Sequence, residues 1–349
     1  MSKSKLTLLI DGNWLLMSRL SVLNNNVDNF QFCQDLKILI IRSINVVLRN
    51  FPLIDNIIFC ADGGSWRSKV AIPKSLYSDT EQVEYKGNRQ YSQDIDWDYI
   101  FGEYESFMAV LQQTGITVCR ENDIEGDDWI YYWSSKLNKE GTNCIIWTKD
   151  NDLKQLVHVD KNKCFTIWYN KDVGIFTDRN IEDENNEFNF MFNYEFDTNE
   201  QIFESLSKKT VKINVINPKH IVIDKILRGD ASDNILPILL RQTKSKKYKI
   251  STKDIDFDLD YNNDNEVHAY LEGLLAMPKY AKTEKTIDEV FEHFKFNRTL
   301  VALQDTNYPQ HIKDIFDNYK DYNMAKNLYE AEVIINAESN KINNILNII

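Results

Sequence analysis

Residues 6–13, Leu6-Thr7-Leu8-Leu9-Ile10-Asp11-Gly12-Asn13, run from an apolar stretch into a carboxylate and a glycine. The run Leu6 to Ile10 is too short for the apolar core of a signal peptide and has no small-residue cleavage site after it, so it reads as a first buried strand. The pattern then recurs. Runs rich in branched and aromatic residues stand at Asn56 to Ala61, Thr117 to Arg120, Asn143 to Thr148 and Phe165 to Tyr169, with longer amphipathic stretches between them. Strands alternating with helices predict an α/β fold built on a mostly parallel sheet flanked by crossover helices. Two intervening stretches, Asp35 to Arg49 and Trp97 to Thr114, carry apolar residues at helical spacing, and Gly115 stands where a capping glycine ends the second.

Composition narrows the class. With 349 residues and 43% hydrophobic content the chain buries a sizeable core and has room for two domains. Its best candidate for a membrane span, Ile38 to Leu48, is broken by Arg42 and Asn45, so no membrane partner is expected. Five cysteines without a CxxC pair fit reduced cytoplasmic thiols. The scattered histidines show no zinc-binding spacing, which leaves oxygen ligands for any metal. A net charge of −12 argues against a uniformly basic, phosphate-binding surface. Lysine and arginine nevertheless concentrate at Lys208 to Lys219 and Arg241 to Lys249.

From Glu182 to Thr198 the sequence turns acidic, asparagine-rich and aromatic, as in a surface excursion. Beyond Lys219 the pattern is helical to the end, interrupted by Lys244 to Lys249 and by Asp254 to Glu266. The predicted organisation is a sheet core over residues 1–185 and a helical region over 186–349.

Acidic groups end the predicted strands or open the elements after them: Asp11, Asp62, Asp150 with Asp152, Glu125 with Asp127 and Asp128, and Asp230 with Asp233. Strand C-termini line one edge of an open parallel sheet, so Asp11, Asp62 and Asp150 are expected in one cleft. Taken singly, each is readily a helix cap or turn residue. Their joint occurrence is what points to chemistry. So many carboxylates repel one another, and divalent cations resolve that repulsion. An all-oxygen set suits Mg²⁺ or Mn²⁺, and two ions about 4 Å apart activate water and stabilise a leaving oxygen in phosphodiester hydrolysis.

The motifs LLIDGN (8–13), FCADGGSWR (59–67), EYKGNR (84–89), IEGDDW (124–129), IIWTKDNDL (145–153) and KILRGDASDNI (225–235) resemble those of the 5′ nucleases. That family includes flap endonucleases, the exonuclease domain of bacterial DNA polymerase I and phage enzymes, of which the T-even ribonuclease H kind is nearest. Weaker similarity continues through FNRTLVALQD (296–305). The resemblance implies a PIN-like core and cleavage of RNA primers and 5′ flaps in DNA replication, leaving a 5′-phosphate and a 3′-hydroxyl. It further implies that Asp11, Asp62, Glu125, Asp127 and Asp150 surround one Mg²⁺, while Asp152, Asp230 and Asp233 hold a second, with Mn²⁺ as substitute and Asp128 as an extra ligand or water partner. By the same resemblance Lys86 touches the scissile phosphate at the base of an arch, with Arg89 and Tyr85 assisting. A cation there neutralises charge in the transition state. For Tyr85, Trp66 and Tyr91, stacking on splayed bases and packing under the arch both stay open. Arg67 and Lys69 are expected phosphate contacts.

The chain departs from the family pattern in three places. Gly126 stands where relatives have alanine. The glycine-rich turn that follows GDxxDN in relatives is replaced by ILPILLRQTKSKKYK (235–249), so duplex binding would fall to Lys244, Lys246 and Lys247. The stretch from Arg67 to Tyr85, with Pro73, Ser75 and Ser78, is longer than expected. The implied partners are DNA with 5′ flaps or nicks and RNA–DNA hybrid, with single-stranded DNA-binding protein and a sliding clamp as replication partners. The implied setting is a monomer in the bacterial cytoplasm, phage-encoded. Two rival readings are a PIN-type ribonuclease, which needs neither EYKGNR nor GDASDN, and an inactive junction-binding module, which would have no use for an intact carboxylate set.

Overall fold

A computed structural model describes residues 6–22, 29–76, 84–89, 95–159, 164–178, 212–242, 247–281, 283 and 285–346. The expected apolar runs form β1 (Leu6–Asp11), β2 (Asn56–Cys60), β3 (Thr117–Cys119) and β4 (Asn143–Trp147). They are followed by β5 (His158–Val159), β6 (Phe165–Asn170), β7 (Gly174–Thr177) and β8 (Ile213–Val215). In the five expected strands every residue but Thr117 is buried, which is why they read as unbroken apolar runs rather than as alternating ones.

The sheet order is β3-β2-β1-β4-β6-β7-β8, and β5 also pairs with β6. The β1, β2, β3, β4 and β6 neighbours are parallel. β7 runs antiparallel to β6 in a hairpin that closes at Asn170 and Gly174, and β8 pairs parallel to β7. These short outer strands gave no periodic signal in the sequence, because two to four residues are too few to show one.

The crossovers are helical: α1 (Gly12–Leu20), α2 (Asn29–Asn50), α3 (Trp97–Gln113) and α4 (Gly126–Lys139). Asp96 caps α3 by accepting the Tyr99 N–H, and Gly115 follows its end at φ +87°, a left-handed turn suited to glycine.

The chain divides into two compact units that do not follow a linear boundary at residue 185. One comprises Met1–Gly64, Ser92–Ile216 and Pro309–Ile349; the other comprises Ser65–Tyr91 and Asn217–Tyr308. The last stretch returns to the sheet because its apolar residues have a core to join there. Leu328, Ala331 and Ile335 are buried in the sheet unit's core, the Ile57 N–H donates to the Ala325 carbonyl at 2.9 Å, and the Tyr132 hydroxyl donates to the Tyr319 carbonyl at 2.6 Å.

In the second unit, α5 (Pro218–Arg228), α6 (Asp264–Ala276) and α7 (Ile287–Val301) surround a separate core that includes Ile223, Ile226, Leu271, Val290 and Phe294. The expected interruption of the helical pattern at Lys244 to Lys249 falls on a hairpin, β9 (Leu240–Gln242) with β10 (Lys247–Lys249). Of the lysines expected to bind duplex, Lys244 and Lys246 lie outside the described residues and Lys247 opens β10. Tyr91, Ser78, Lys208 and the acidic stretch Glu182 to Thr198 also lie outside them. All five cysteines are buried free thiols. Among the described residues, no helix is long and apolar enough to cross a membrane.

Candidate active site

β1 lies between β2 and β4, with Asp11 in register with Cys60 and Ile10 with Trp147. Parallel pairing at that register carries Asp11, Asp62 and the Thr148-Lys149-Asp150 turn to one edge of the sheet. This edge is also where the order switches sides, since β2 and β3 lie to one side of β1 and β4 to the other.

Asp11 is buried and serves two local tasks. Its Oδ1 caps α1 by accepting the Trp14 N–H at 2.9 Å, and its Oδ2 accepts the Thr148 hydroxyl at 2.7 Å. Burial pushes its carboxyl up to about 7 against the lowering effect of those two bonds, and the nearby charges of Asp62 and Asp150 add to the rise. Asp62 is held on both oxygens. Oδ2 accepts the Asn13 carboxamide at 2.7 Å and Oδ1 accepts the Gly126 N–H at 2.6 Å, while the Asp62 N–H donates back to Asn13 at 3.1 Å.

Gly126 opens α4, so its N–H is one of the donors that a helix start leaves without an intrahelical partner. A Cβ at this position would lie 3.1 Å from Asp62 Oδ1. The glycine therefore permits a close backbone approach to the carboxylate, which an alanine would press by a few tenths of an ångström. Glu125 and Asp128 form a reciprocal capping box at the same helix start, with the Glu125 N–H donating to Asp128 Oδ2 at 3.2 Å. Asp128 is fully buried in that role, which gives it a structural task that the expected part of extra ligand left out. Asp127 lies close enough for its charge to help raise the Cys60 thiol, an effect led by burial.

Asp150 is exposed on the turn after β4. Its Oδ1 accepts the Asp152 N–H at 2.8 Å, its own N–H donates to Thr148 at 2.9 Å, and its carbonyl accepts the Trp168 indole at 2.8 Å. Thr148 thus ties Asp11 to Asp150. Beside this group the Tyr104 hydroxyl is buried without a hydrogen-bond partner, and after burial the charges of Asp11 and Asp62 act on it most. A carboxyl pushed up by burial, with like charges adding to the rise, and an unsatisfied hydroxyl next to it together fit a hydrated divalent cation held by oxygen ligands.

The other unit carries a second acidic pair. Gly229 ends α5 at φ +64°, where a Cβ would meet the Ile235 carbonyl at 2.3 Å, so only glycine fits. Asp230 and Ile235 then exchange both backbone hydrogen bonds and close the GDASDN turn. The Asp230 and Asp233 carboxylates come within 4.8 Å of each other. Asp230 pairs with Lys225 and accepts the Ser232 hydroxyl and N–H; although its burial opposes ionisation, these partners hold it down at about 2. Asp233 Oδ1 accepts from Arg89 at 2.8 Å, and the Asp233 carbonyl accepts the Lys86 N–H at 2.9 Å. The basic motif at residues 84–89 therefore belongs with the helical unit and its acidic turn.

Several expected contacts have a different place. Arg67 is 3% exposed and its Nε donates to the Leu300 carbonyl at 3.0 Å, so it packs within the helical unit instead of presenting itself to phosphate. Trp66 is buried against Tyr308, with ring centroids 5.7 Å apart, and Tyr85 is partly buried against the core of the helical unit. The Lys86 ammonium lies 5.0 Å from the Tyr85 ring centroid, and Lys69 is exposed. Asn13, Thr148, Ser232 and Lys225 were missed by sequence reasoning. All four stand inside the quoted motifs, Asn13 in LLIDGN, Thr148 in IIWTKDNDL and Lys225 and Ser232 in KILRGDASDNI, but Asn13 and Thr148 hold acids 49 and 137 residues away, a pairing that motif spacing does not encode.

Residues 7–186 match the family model of the 5′-3′ exonuclease N-terminal resolvase-like domain. No curated protein matches the chain. Among solved structures, the chain is similar to a bacteriophage T5 5′-exonuclease with bound zinc ions, at 17% identity and a TM-score of 0.51, covering 90% of this chain and 97% of that one. It is also similar to a bacteriophage T5 flap endonuclease in a pseudo-enzyme-product complex with DNA and metal ions, at 16% identity and a TM-score of 0.52, covering 90% and 96%. At these identities the likeness is one of fold.

Proposed function

The chain belongs to the 5′-3′ exonuclease family, and from that premise we propose that it is a metal-dependent 5′ nuclease that removes RNA primers and 5′ flaps by phosphodiester hydrolysis. The observation that carries the metal dependence is the convergence of Asp11, Asp62 and Asp150 at one sheet edge, with Asp11 pushed up to about 7 by burial and by its acidic neighbours. A divalent cation offsets that repulsion and favours the charged form of Asp11 at neutral pH.

Asp11, Asp62, Glu125, Asp127 and Asp150 would hold one ion. A second ion is implied by the family resemblance alone. Bound by these carboxylates, Mg²⁺ or Mn²⁺ would supply Lewis-acid chemistry, activating water and offsetting charge on the phosphate oxygens. The chain's own residues do the positioning. Asn13 and the Gly126 N–H orient Asp62, and Thr148 orients Asp11 while fixing the turn that carries Asp150. Lys86 supplies positive charge for the scissile phosphate, in keeping with a lysine's use as a compact point charge. The complex of the T5 flap endonuclease with DNA and metal ions supports the same substrate class here.

The test is cleavage of a labelled 5′-flap DNA and of an RNA-primed nicked duplex, with Mg²⁺, with chelator and with Asp150→Ala. Release of short 5′ products that needs Mg²⁺ and is lost in the variant is the expected result. Tight junction binding without cleavage would instead favour the inactive-module reading.

A further inference from the structure

Two turns of the helical unit face each other. One is the basic turn at residues 84–89, and the other is the acidic turn at 230–235. Four hydrogen bonds join them: Lys86 N–H to the Asp233 carbonyl at 2.9 Å, Arg89 Nη2 to Asp233 Oδ1 at 2.8 Å, Asn88 Nδ2 to the Ala231 carbonyl at 2.8 Å, and Asn234 Nδ2 to the Glu84 carbonyl at 2.8 Å. The two carboxamides run in opposite directions, each side chain reaching across to the other turn's backbone. Neither asparagine is accounted for by metal binding or by phosphate contact.

Backbone conformation supplies a second, independent observation. Only three non-glycine residues among those described have positive φ, and two of them sit across this junction, Lys86 at 57° and Asn234 at 58°. Asparagine tolerates the left-handed region, but a lysine there is uncommon and persists when its surroundings over-determine it. What over-determines Lys86 is visible. Its N–H is bonded across the junction, its carbonyl accepts the Arg89 N–H at 3.1 Å, and Tyr85 beside it is anchored in the core of the unit.

We propose that Asn88 and Asn234 are positioning residues that clamp the basic turn onto the acidic turn, so that Lys86 and the Asp230–Asp233 pair are held as one rigid body. The proposal rests on the nuclease reading for its consequence, because the clamp sets where the Lys86 charge stands when a phosphate arrives. Its physical content, a joined pair of turns, can be measured without any cleavage. A clamp of this kind acts on rate rather than on substrate affinity, since small misplacement of a charged group costs transition-state stabilisation first.

The test uses the full-length protein with Asn88→Ala, Asn234→Gly and the double change. Glycine at 234 keeps the left-handed backbone available and removes only the carboxamide. Hydrogen exchange across residues 84–89 is expected to quicken about 10-fold in the double variant as the junction opens. Single-turnover cleavage of a 5′-flap DNA is expected to fall about 10-fold with the Kd for that DNA within about twofold. In a Lys86→Ala background the same double change is expected to cost less than about twofold, because its effect runs through the lysine. Unaltered exchange, or an undiminished loss in the Lys86→Ala background, would overturn the clamp. Asn88 is exposed, so Asn88→Ala alone keeps the test decisive should the double variant melt early. If the wild-type protein cleaves no flap, the nuclease reading fails, and exchange alone then upholds the clamp by quickening or overturns it by staying the same.

Discussion

Asp11 and Asp230 both lie at the mouth of a glycine-marked turn, yet their carboxyl groups shift in opposite directions, Asp11 up to about 7 and Asp230 down to about 2. For each, burial is the largest influence and it favours the neutral acid. The outcome differs because of the company each keeps. Asp11 accepts from two neutral donors and feels the like charges of Asp62 and Asp150, whereas Asp230 pairs with Lys225 and Asp233 with Arg89. The helical unit brings its own cations to its carboxylates. At Asp11 the neighbouring charges act in the same direction as burial, whereas at Asp230 they act against it.

The sharpest way to break this comparison is to remove a carboxylate from the sheet edge. Asp62→Asn is expected to lower flap cleavage on the order of 10³-fold, since it weakens both metal binding and the charge stabilisation that the metal supplies. Cleavage assays against added Mg²⁺ check this, and a loss below about 10-fold would mean that the edge is not the metal site. Thr148→Val, which preserves shape and removes the hydroxyl that joins Asp11 to the Asp150 turn, is expected to weaken Mg²⁺ activation by about 10-fold. A Mg²⁺ titration of cleavage measures it.

Protein stability offers a test without substrate. Asp11 has a folded-state pKa raised from 3.8 to about 7, so the fold favours its neutral form. In chelator its contribution to stability is complete below about pH 4 and is lost as pH rises through about 7. Asp230 has a lowered pKa, so its contribution is present above its ordinary range and is lost only as pH falls toward 2. Metal-free protein is therefore expected to lose roughly 5 °C of Tm between pH 5 and pH 8, with Mg²⁺ restoring it at pH 8 and having little effect at pH 5. Thermal melts of the wild type and of Asp11→Asn check this. A wild-type slope that persists in Asp11→Asn would assign it to other groups. The smallest expected effect is that of Gly126→Ala, whose new Cβ would press on Asp62 Oδ1 from 3.1 Å. A loss of about twofold to fivefold in cleavage rate is expected, and an unchanged rate would mean that the helix start yields without moving Asp62.

The core strands were legible because parallel strands covered on both faces read as continuous apolar runs, and β1 to β4 and β6 all fall where the runs stand. The acids at their ends were legible for the same reason, since a strand that ends in a carboxylate places it at the sheet edge wherever the strand sits. The holders of those acids were less so. Nothing about Lys225, five residues before Asp230, distinguishes it from a solvated helical lysine until the turn folds back. Arg67 looked like a phosphate contact by charge alone, and only its burial against Leu300 shows a packing role.

The sequence by itself determined the α/β class, the core strands and the acids that end them, because these follow from local periodicity and from the geometry of a parallel sheet. Tertiary structure alone decided three things. It returned residues 309–349 to the sheet unit, it grouped the basic turn at 84–89 with the acidic turn at 230–235, and it brought the Thr148 hydroxyl to Asp11 and the Asn13 carboxamide to Asp62. The physical reason is common to all three. Each depends on contacts between residues far apart in the chain, and neither apolar period nor motif spacing encodes which distant partner a buried face or a charge will meet.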